Sequence, residues 1–260
     1  MNILSKIESA TKERIAAQKR KISLSDLRSQ VADLDCDTQF PFEKALRKSS
    51  MSFICEIKKA SPSKGVIAQE FLYQKIAAEY ESAGADAISV LTEPDFFQGK
   101  DAYLTEIRKT VSIPILRKDF TIDEYMIYQA KCLGADAILL ICALLSVQQL
   151  EEYIAIAKSI GLSSLVEVHD TAEAEAARLA KASIIGVNNR SLQDFNVSLD
   201  TARRLRSLIP PSTVFVAESG LQTKEDIKAM KEIGSHGVLI GEVFMRSTDK
   251  KALLQEFQRA

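Results

Sequence analysis

Short apolar runs alternate with helical stretches along most of the chain. The stretches QEFLYQKIAAEYESAG and SVQQLEEYIAIAKSIG space their apolar residues three and four apart, which is typical of amphipathic helices. The runs between such stretches are mostly continuously apolar, as expected of parallel strands that are buried on both faces. Eight strands are predicted in this way, near residues 51–57, 86–91, 113–117, 136–142, 163–168, 183–188, 213–217 and 236–241.

One junction between helix and strand recurs along the chain. AGADAISVL begins at Ala83, LGADAILLI at Leu133, and the weaker echo IGSHGVLIG at Ile233. In each, a glycine suited to end a helix is followed by a short loop and a buried strand. Eight such units favour a closed (β/α)8 barrel, the TIM barrel of the α/β class, over an open doubly wound sheet. No G-x-G-x-x-G motif follows the first strand, which weakens the dinucleotide-binding alternative.

The first 50 residues precede the repeating units. ILSKIESATKERIAAQKRK and FPFEKALRKS both have a helical pattern, and we expect a helical extension that covers one end of the barrel. A nucleic-acid-binding arm is the alternative, but the basic residues are interleaved with Glu and apolar residues. No linker or low-complexity segment marks a second domain. Residues 1–260 are therefore predicted to form one barrel domain, with residues 1–50 packed on it.

The composition narrows the possible classes of function. Of the 260 residues 46% are hydrophobic and 27% are charged, and the formal net charge is -1, so no general field favours nucleic acid or an anionic membrane. The N-terminus lacks the apolar core of a signal peptide, and no apolar run reaches the roughly 20 residues that span a bilayer. Four cysteines without a C-x-x-C pair and two histidines predict neither zinc nor disulfides. We expect a cytoplasmic protein without a metal ion or organic cofactor.

Polar side chains follow several predicted strands at the end where this fold carries its catalytic groups. A single charge there is usually a solvated rim residue, but five strand ends converge, which favours an acid–base site. The fourth strand, DAILLICALL, contributes no such group. The candidates are Glu56 and Lys58 from the first strand, Lys118 from the third, Glu167 from the fifth, Asn188 from the sixth and Glu218 from the seventh.

A second set of residues predicts an anion site. AESGL after the seventh strand and IGE after the eighth place small residues where this fold commonly binds phosphate. The backbone N–H groups of Gly220, Gly241 and Glu242 are candidates, and Ser61 in the loop after the first strand could add a hydroxyl. The alternative is that these glycines serve only tight turns. Lys64 in the same loop is interpreted as a solvated side chain.

An apolar set completes the predicted site. Pro62, Phe97, Phe120 and Leu192 lie in loops just after the first, second, third and sixth strands. Each alone would be ordinary packing, but together on a polar rim they predict a clamp for a flat aromatic ring. The residues thus predict an enzyme for a phosphorylated small molecule with an apolar portion, acting through lysine and glutamate acid–base chemistry.

The chain resembles the indole-3-glycerol phosphate synthase family. The segments CEIKKASPSKGVI, LTEPDFFQG, ILRKDF, LVEVHD, IGVNNRSL, AESGL and LIGEVFM occur in the order typical of that family, and the N-terminal ILSKIESATKERIA and FPFEKALR are similar to its extension. The resemblance spans essentially the whole chain, and KKASPSKG, NNR and ESG are its most specific motifs. Because the sequence ends after the eighth unit, we expect the monofunctional form.

The resemblance implies a reaction and a set of roles. The substrate would be 1-(2-carboxyphenylamino)-1-deoxyribulose 5-phosphate, which closes a ring and loses carbon dioxide and water. Lys118 would be the general acid, Lys58 a second lysine near the substrate carboxylate, and Glu167 the base; which lysine protonates which oxygen stays open. The groups that orient lysines and substrate would be Glu56, Asn188 and Glu218, with Arg190 pairing with the anthranilate carboxylate and Ser219 also contacting substrate.

One position, Glu242, departs from the pattern of the family. Glu242 stands where a small residue is common, so only its backbone N–H should contact phosphate, with the carboxylate turned away.

A Schiff-base aldolase or synthase barrel that uses Lys118 or Lys58 as nucleophile is the alternative enzyme. A non-catalytic sugar-phosphate binder is the third possibility. The expected partner is a phosphorylated small molecule, without nucleic acid or membrane, and the expected state is a monomer or weak homodimer.

Overall fold

The computed structural model describes residues 3–192 and 194–260, and its centre is a closed barrel of eight parallel strands. Each strand pairs with its neighbours along the chain, and β1 closes the barrel by pairing Ser52 with Gly237 of β8. The predicted (β/α)8 barrel is confirmed. The strands are β1 (Ser52–Ile57), β2 (Ala87–Leu91), β3 (Ile115–Lys118), β4 (Ala137–Ile141), β5 (Ser163–Val168), β6 (Ile184–Asn188), β7 (Val214–Glu218) and β8 (Gly237–Ile240).

Helices connect the strands and surround the barrel. Three precede it: α1 (Ile3–Lys19), α2 (Leu24–Ala32) and α3 (Pro41–Leu46). The connecting helices are α4 (Tyr73–Ala83), α5 (Asp101–Arg108), α6 (Glu124–Leu133), α7 (Val147–Ser159), α8 (Thr171–Leu179), α9 (Asp200–Arg206) and α10 (Lys224–Glu232). After β8 come α11 (Glu242–Arg246) and α12 (Lys250–Gln258).

The predicted strand bounds agree with the observed ones to within two residues. The largest shift is at β3, which begins at Ile115 although the apolar run begins earlier. Pro114 has no N–H to donate to a ladder, and only its carbonyl is used, as acceptor from the N–H of Ile88 at 2.9 Å. At the other end β3 continues to Lys118, whose carbonyl accepts from Thr92 at 3.1 Å.

The recurring junction has a common structural role. Gly84 and Gly134 end α4 and α6 in the left-handed conformation, at φ of 92° and 90°, which glycine adopts without strain. The Asp two residues later then accepts the backbone N–H of the preceding strand, Asp86 from Phe53 at 2.8 Å and Asp136 from Ile115 at 2.8 Å. In the weaker echo, the ring Nδ1 of His236 accepts from Phe215 of β7 at 3.1 Å. The motif therefore fixes the pairing of consecutive strands.

The extension contacts both ends of the barrel, whereas the sequence predicted cover at one end. Leu4 and Ile7 of α1 belong to the apolar cluster inside the barrel, on the side of Phe120. Phe42 and Leu46 of α3 belong to the same cluster, and Leu46 lies against the start of β8 at the opposite end. The apolar pattern of a helix specifies a buried face but not its partner, so the sequence could not assign these ends.

The loop after β1 forms a small hairpin of its own. Ala60–Ser61 pairs antiparallel with Gly65–Val66, and Gly65 adopts a φ of 64°. The segment SPSKG is therefore the turn of a hairpin at the mouth of the barrel. Within the described ranges, no helix is long and apolar enough to cross a membrane.

Candidate active site

The polar strand ends and apolar loop residues meet in one cavity of about 540 Å³ at the carboxyl end of the barrel. A parallel barrel brings these ends together although they are far apart in sequence. All residues predicted to form the site line this cavity: Glu56, Lys58, Ser61, Pro62, Phe97, Lys118, Phe120, Glu167, Asn188, Arg190, Leu192, Glu218, Ser219, Gly220, Gly241 and Glu242.

Lys118 and Glu167 form an ion pair on the floor of the cavity. The Nζ of Lys118 lies 2.9 Å from Glu167 Oε2 and 3.8 Å from Glu218 Oε2. Burial alone would lower the pKa of Lys118, but the charges of Glu167 and Glu218 outweigh it and raise this pKa. The ammonium group is therefore held in its protonated form, as a proton donor requires.

The two carboxyls that flank Lys118 have opposite pKa shifts. Burial opposes the charge of Glu167, but Lys118 and His169 outweigh it and lower the pKa of this carboxyl. Burial and the charge of Glu167 raise the pKa of Glu218. An ionised Glu167 beside a protonated Glu218 is the arrangement expected when one of two close carboxyls is paired with a cation. The site thus contains a carboxylate held ionised and a second carboxyl with a raised pKa, both within reach of one lysine.

Glu56 and Lys58 also pair, at the end of β1. Alternation along the strand directs both side chains into the barrel, where Lys58 Nζ donates to Glu56 Oε1. The carboxyl of Glu56 is buried, while Lys58 keeps 18% of its side chain exposed to the cavity. The predicted inward direction of both side chains is therefore observed, and Lys58 is the more exposed of the two.

Two glycines leave room for buried carboxylates. A Cβ at Gly186 of β6 would lie 2.0 Å from Glu218 Oε1, and one at Gly241 would lie 2.4 Å from Glu56 Oε1. Gly241 has a negative φ of -122°, so it is not needed for an unusual turn. Gly241 is needed here because the Glu56 carboxylate approaches it closely. The sequence analysis considered only phosphate binding and a tight turn for this glycine.

The end of β6 supplies an amide and an arginine. Asn188 Nδ2 donates to Glu167 Oε1 at 3.2 Å, and Asn188 Oδ1 accepts from the backbone of Arg190 at 3.0 Å. The guanidinium of Arg190 donates to the carbonyl of Phe195 at 3.3 Å, which holds it at the rim of the cavity. Asn188 therefore fixes the orientation of Glu167, and Arg190 presents a cation above it.

The aromatic side of the cavity includes a contribution from α1. The rings of Phe97 and Phe120 lie 5.9 Å apart between centroids, and Leu192 packs against the same cluster. Leu4 and Ile7 of α1 pack there as well and line the cavity. The sequence reasoning missed these two residues. Their spacing of three indicated a buried helical face, but nothing in the sequence indicated that this face lies over the cavity.

An ion pair links α1 to the strand that carries Lys118. Arg14 Nη2 lies 2.7 Å from Asp119 Oδ1, and Thr92 donates to Asp119 Oδ2 at 2.7 Å. Burial opposes the charge of Asp119, but Arg14 and Arg117 outweigh it and lower the pKa of this carboxyl. Arg117 itself lies outside the barrel, against Asp101 at 2.8 Å. Of the polar run at the end of β3, Lys118 and Asp119 therefore line the cavity, and the carboxylate of Asp119 is paired with Arg14.

Two basic side chains lie near Glu242, at the edge of the predicted anion pocket. The carboxylate Oε1 of Glu242 lies 3.2 Å from Arg246 Nε and 3.8 Å from Lys64 Nζ. Lys64 keeps 45% of its side chain exposed, so it is solvated as expected, and its ammonium also lies close to the Glu242 carboxylate. Gly220 adopts a φ of 80° beside the pocket, which fits a tight turn. Arg246, one helical turn after Glu242, was not anticipated from the sequence.

Comparisons with known proteins show which family the sequence matches. A family profile described as indole-3-glycerol phosphate synthase matches residues 4–257. A relative of that name from Ruminiclostridium cellulolyticum is 53% identical over 256 residues and 98% of both chains, and one from Leuconostoc mesenteroides is 46% identical over 258 residues and 98% of both chains.

Solved structures show the same fold at low sequence identity. The 3-hexulose-6-phosphate synthase from Salmonella typhimurium has a TM-score of 0.66 at 14% identity, with 80% of this chain and 97% of that chain covered. KGPDC from Streptococcus mutans has a TM-score of 0.64 at 12% identity, with 81% and 97% covered. These likenesses concern the fold alone, whereas the profile and the relatives extend over nearly the whole sequence. The chain belongs to the indole-3-glycerol phosphate synthase family.

Proposed function

We propose that the chain converts 1-(2-carboxyphenylamino)-1-deoxyribulose 5-phosphate into indole-3-glycerol phosphate, carbon dioxide and water, with the roles that follow. The observation that carries these roles is the ion pair of Lys118 and Glu167 at 2.9 Å inside the cavity. A proton donor and a proton acceptor in contact, between an aromatic clamp and an anion pocket, match the needs of this substrate.

Ring closure needs an acid at the ribulose carbonyl. The ring carbon that bears the carboxylate attacks the carbonyl carbon, and the carbonyl oxygen takes a proton from the ammonium of Lys118. The buried position of Lys118, with 15% of its side chain exposed, keeps water from competing for that proton. Phe97 and Phe120 would hold the aromatic ring, and Arg190 and Lys58 its carboxylate.

Decarboxylation and dehydration complete the reaction. The carbon–carboxylate bond breaks, its electron pair restores the aromatic ring, and carbon dioxide leaves. The new hydroxyl then leaves as water with a second proton from an acid, for which Lys58 and Lys118 are the candidates. Glu167 takes the proton from the adjacent CH2 group, which forms the indole double bond. Two protons are taken up and one is returned, so each turnover consumes one proton from solvent.

The subsites for the rest of the substrate follow from the same cavity. Glu56, Asn188 and Glu218 would orient the lysines and the ribulose hydroxyls. The phosphate would be bound by backbone N–H groups at Gly220, Gly241 and Glu242, with the hydroxyls of Ser61 and Ser219, while Lys64 and Arg246 hold the Glu242 carboxylate aside. Pro62 and Leu192 would close the aromatic subsite at its edges.

A fluorescence assay tests this function. Purified protein given the ring-closure substrate should produce the absorbance and fluorescence of an indole, and the rate should persist in a chelator. A folded protein, verified by circular dichroism, that yields no indole would contradict the proposal. Borohydride trapping followed by mass spectrometry tests the Schiff-base alternative, because an acid–base lysine leaves no reduced adduct. A non-catalytic binder would bind the product without turnover.

We also propose a cytoplasmic location and a monomer or weak homodimer that binds no nucleic acid. The near-neutral formal charge of -1 supports the last point. Light scattering after size-exclusion chromatography over a range of concentrations measures the oligomeric state. A concentration-independent tetramer would contradict it.

A further inference from the structure

A histidine outside the cavity lies directly behind the proposed base. His169 follows β5 two residues after Glu167, so both side chains project to the same side. Its Nε2 lies 3.4 Å from Glu167 Oε1 and its Nδ1 lies 3.0 Å from Glu173 Oε2. His169 does not line the cavity, and 12% of its side chain is exposed. It is therefore placed to contact Glu167 and not the substrate itself.

The first turn of α8 holds this imidazole in place. Glu173 Oε2 accepts from the backbone N–H of His169 at 2.8 Å as well as from the ring. Glu173 is itself fixed, because its N–H donates to Asp170 Oδ1 at 2.9 Å. The carboxylate of Glu173 thus selects the ring orientation in which Nδ1 carries a proton and Nε2 faces the barrel.

The direction of Nε2 has a chemical consequence. Within the described part of the chain, this buried nitrogen has no regular hydrogen-bond partner, and Glu167 Oε1 is the group that it faces. A neutral Nε2 would direct its lone pair at a carboxylate, whereas a protonated Nε2 would satisfy both groups. The opposite side of Glu167 is already occupied, since Oε2 pairs with Lys118. A second cation at Oε1 therefore adds to the hydrogen bond that this oxygen already accepts from Asn188 Nδ2 at 3.2 Å.

We propose that His169, held by Glu173, is a positioning residue that fixes Glu167 in its ionised form and in the orientation that faces Lys118. This inference rests on the proposed function, in which Glu167 is the base. Besides Glu167 and Glu173, the carboxyl of Glu218 on β7 acts on the imidazole, while Lys118 of β3 acts on Glu167, and Cys142 after β4 lies close to Glu167 and Glu173. Burial opposes a proton on the ring, but Glu173 and Glu167 raise the pKa of His169.

The pair of buried carboxyls explains why such a cation is useful. Glu167 and Glu218 both lie near Lys118, and one lysine alone would stabilise either of them as the ionised group. A positive His169 contacts Glu167 directly, so the charge is assigned to Glu167 and the proton to Glu218. Without it, protons would distribute over both carboxyls and the fraction of ionised base would fall.

The pH profile of turnover tests the proposal. His169→Ala should lower kcat at pH 7 by roughly tenfold to a hundredfold, less than the loss of the base itself, and leave KM nearly unchanged. The acidic limb of kcat should move to higher pH by about one to three units, since an opposite charge at this distance lowers a carboxyl pKa by that amount. His169→Gln, which keeps a neutral donor, should regain part of kcat but keep the displaced limb.

The other histidine of the chain provides a matched control. His236 lies at the opposite end of the barrel, and the recurring junction has Asp at its two equivalent positions. His236→Asp should therefore leave the pH profile in place. A folded His169→Ala enzyme with the wild-type acidic limb, or one with a raised KM and unchanged kcat, would overturn the proposal.

A measurement without turnover separates this inference from the function on which it rests. In NMR of protein labelled with nitrogen-15 in histidine, both ring nitrogens of His169 should stay protonated at pH 7, where a free imidazole is mostly neutral. Glu173→Gln should remove that proton at the same pH. A neutral His169 ring at pH 7 in the wild-type protein would overturn the proposal even if the enzyme is active. An inactive enzyme with a charged ring would instead contradict the function.

Discussion

Lys118 is the residue on which the proposed chemistry depends most directly. Lys118→Ala removes the ammonium that lies 2.9 Å from Glu167, so the ribulose carbonyl loses its proton donor. We expect kcat to fall by about 10² or more, the usual scale for an acid–base group, as measured by indole fluorescence. Lys109→Ala, which changes an exposed lysine after α5, is the control. A near-normal kcat in Lys118→Ala would exclude Lys118 as the general acid.

The buried carboxyl of Glu218 makes the free energy of unfolding depend on pH. Burial and Glu167 raise the pKa of this carboxyl above its ordinary value. Between the unfolded and folded pKa values the folded state binds more protons, so the free energy of unfolding falls as pH rises through that window. Glu218→Gln mimics the protonated form and removes this loss, worth about 1.4 kcal/mol per unit of pKa difference.

Urea unfolding at pH 5 and pH 8 measures the effect. We expect Glu218→Gln to be more stable than the wild type at pH 8 by a larger margin than at pH 5, while its turnover falls. Glu225→Gln, an exposed position on α10, should show no such difference. If Glu218→Gln loses stability at pH 8, the wild-type carboxyl is ionised there and the assignment of its proton is wrong.

At the scale of elements, alternation and turn chemistry were readable from the sequence. The inward direction of Glu56 and Lys58 follows from their spacing of two, and the glycine of each recurring junction marks the end of a helix. The packing partner of α1 could not be predicted, because the pattern of Leu4 and Ile7 indicates a buried face but not the surface against which it packs. Contacts between distant segments, such as Arg14 with Asp119, leave no periodic signal.

The ion pair of Arg14 with Asp119 leads to a prediction about α1. Arg14→Ala removes the closest cation from the fully buried carboxylate of Asp119 and leaves it with Thr92, Arg117 and the backbone N–H of Phe120, so the free energy of unfolding should fall by about 1–3 kcal/mol. Because Asp119 follows Lys118 and its carboxylate accepts from the backbone N–H of Phe120, we also expect a raised KM. Urea unfolding and steady-state kinetics measure the two effects.

A second arginine of the extension is the matched control. Arg28 of α2 also pairs with a carboxylate of the barrel, Glu124 at 2.7 Å, but 52% of its side chain is exposed. Arg28→Ala should lower the free energy of unfolding much less than Arg14→Ala does, since surface ion pairs contribute little. Equal losses in the two variants would mean that the buried pair at Asp119 has no special role.

At the scale of the whole molecule, the number and order of the strands were predictable, but the close fit inside the barrel was not. Eight repeated units imply a closed barrel and gather the polar strand ends at one mouth. The need for Gly186 and Gly241 depends on where Glu218 and Glu56 lie after folding, which no local pattern encodes. The same holds for Lys64 and Arg246, which approach Glu242 from a loop and from a helix.

The product should contact both the aromatic side and the anion pocket of the cavity, and its binding should therefore raise the free energy of unfolding. Indole-3-glycerol phosphate at a hundred times its Kd should add about 2.7 kcal/mol to the free energy of unfolding, because it binds only the folded state. For a chain of this size that corresponds to a rise in Tm of roughly 5–10 °C in a thermal shift assay. At the same concentration as the product, glycerol 3-phosphate and indole, which each fill one part of the cavity, should each give a smaller rise because each binds more weakly. Phe97→Ala should reduce the rise with product but not the rise with glycerol 3-phosphate, since Phe97 belongs to the aromatic side. An equal rise with glycerol 3-phosphate and with the product would mean that the aromatic clamp contributes no binding energy.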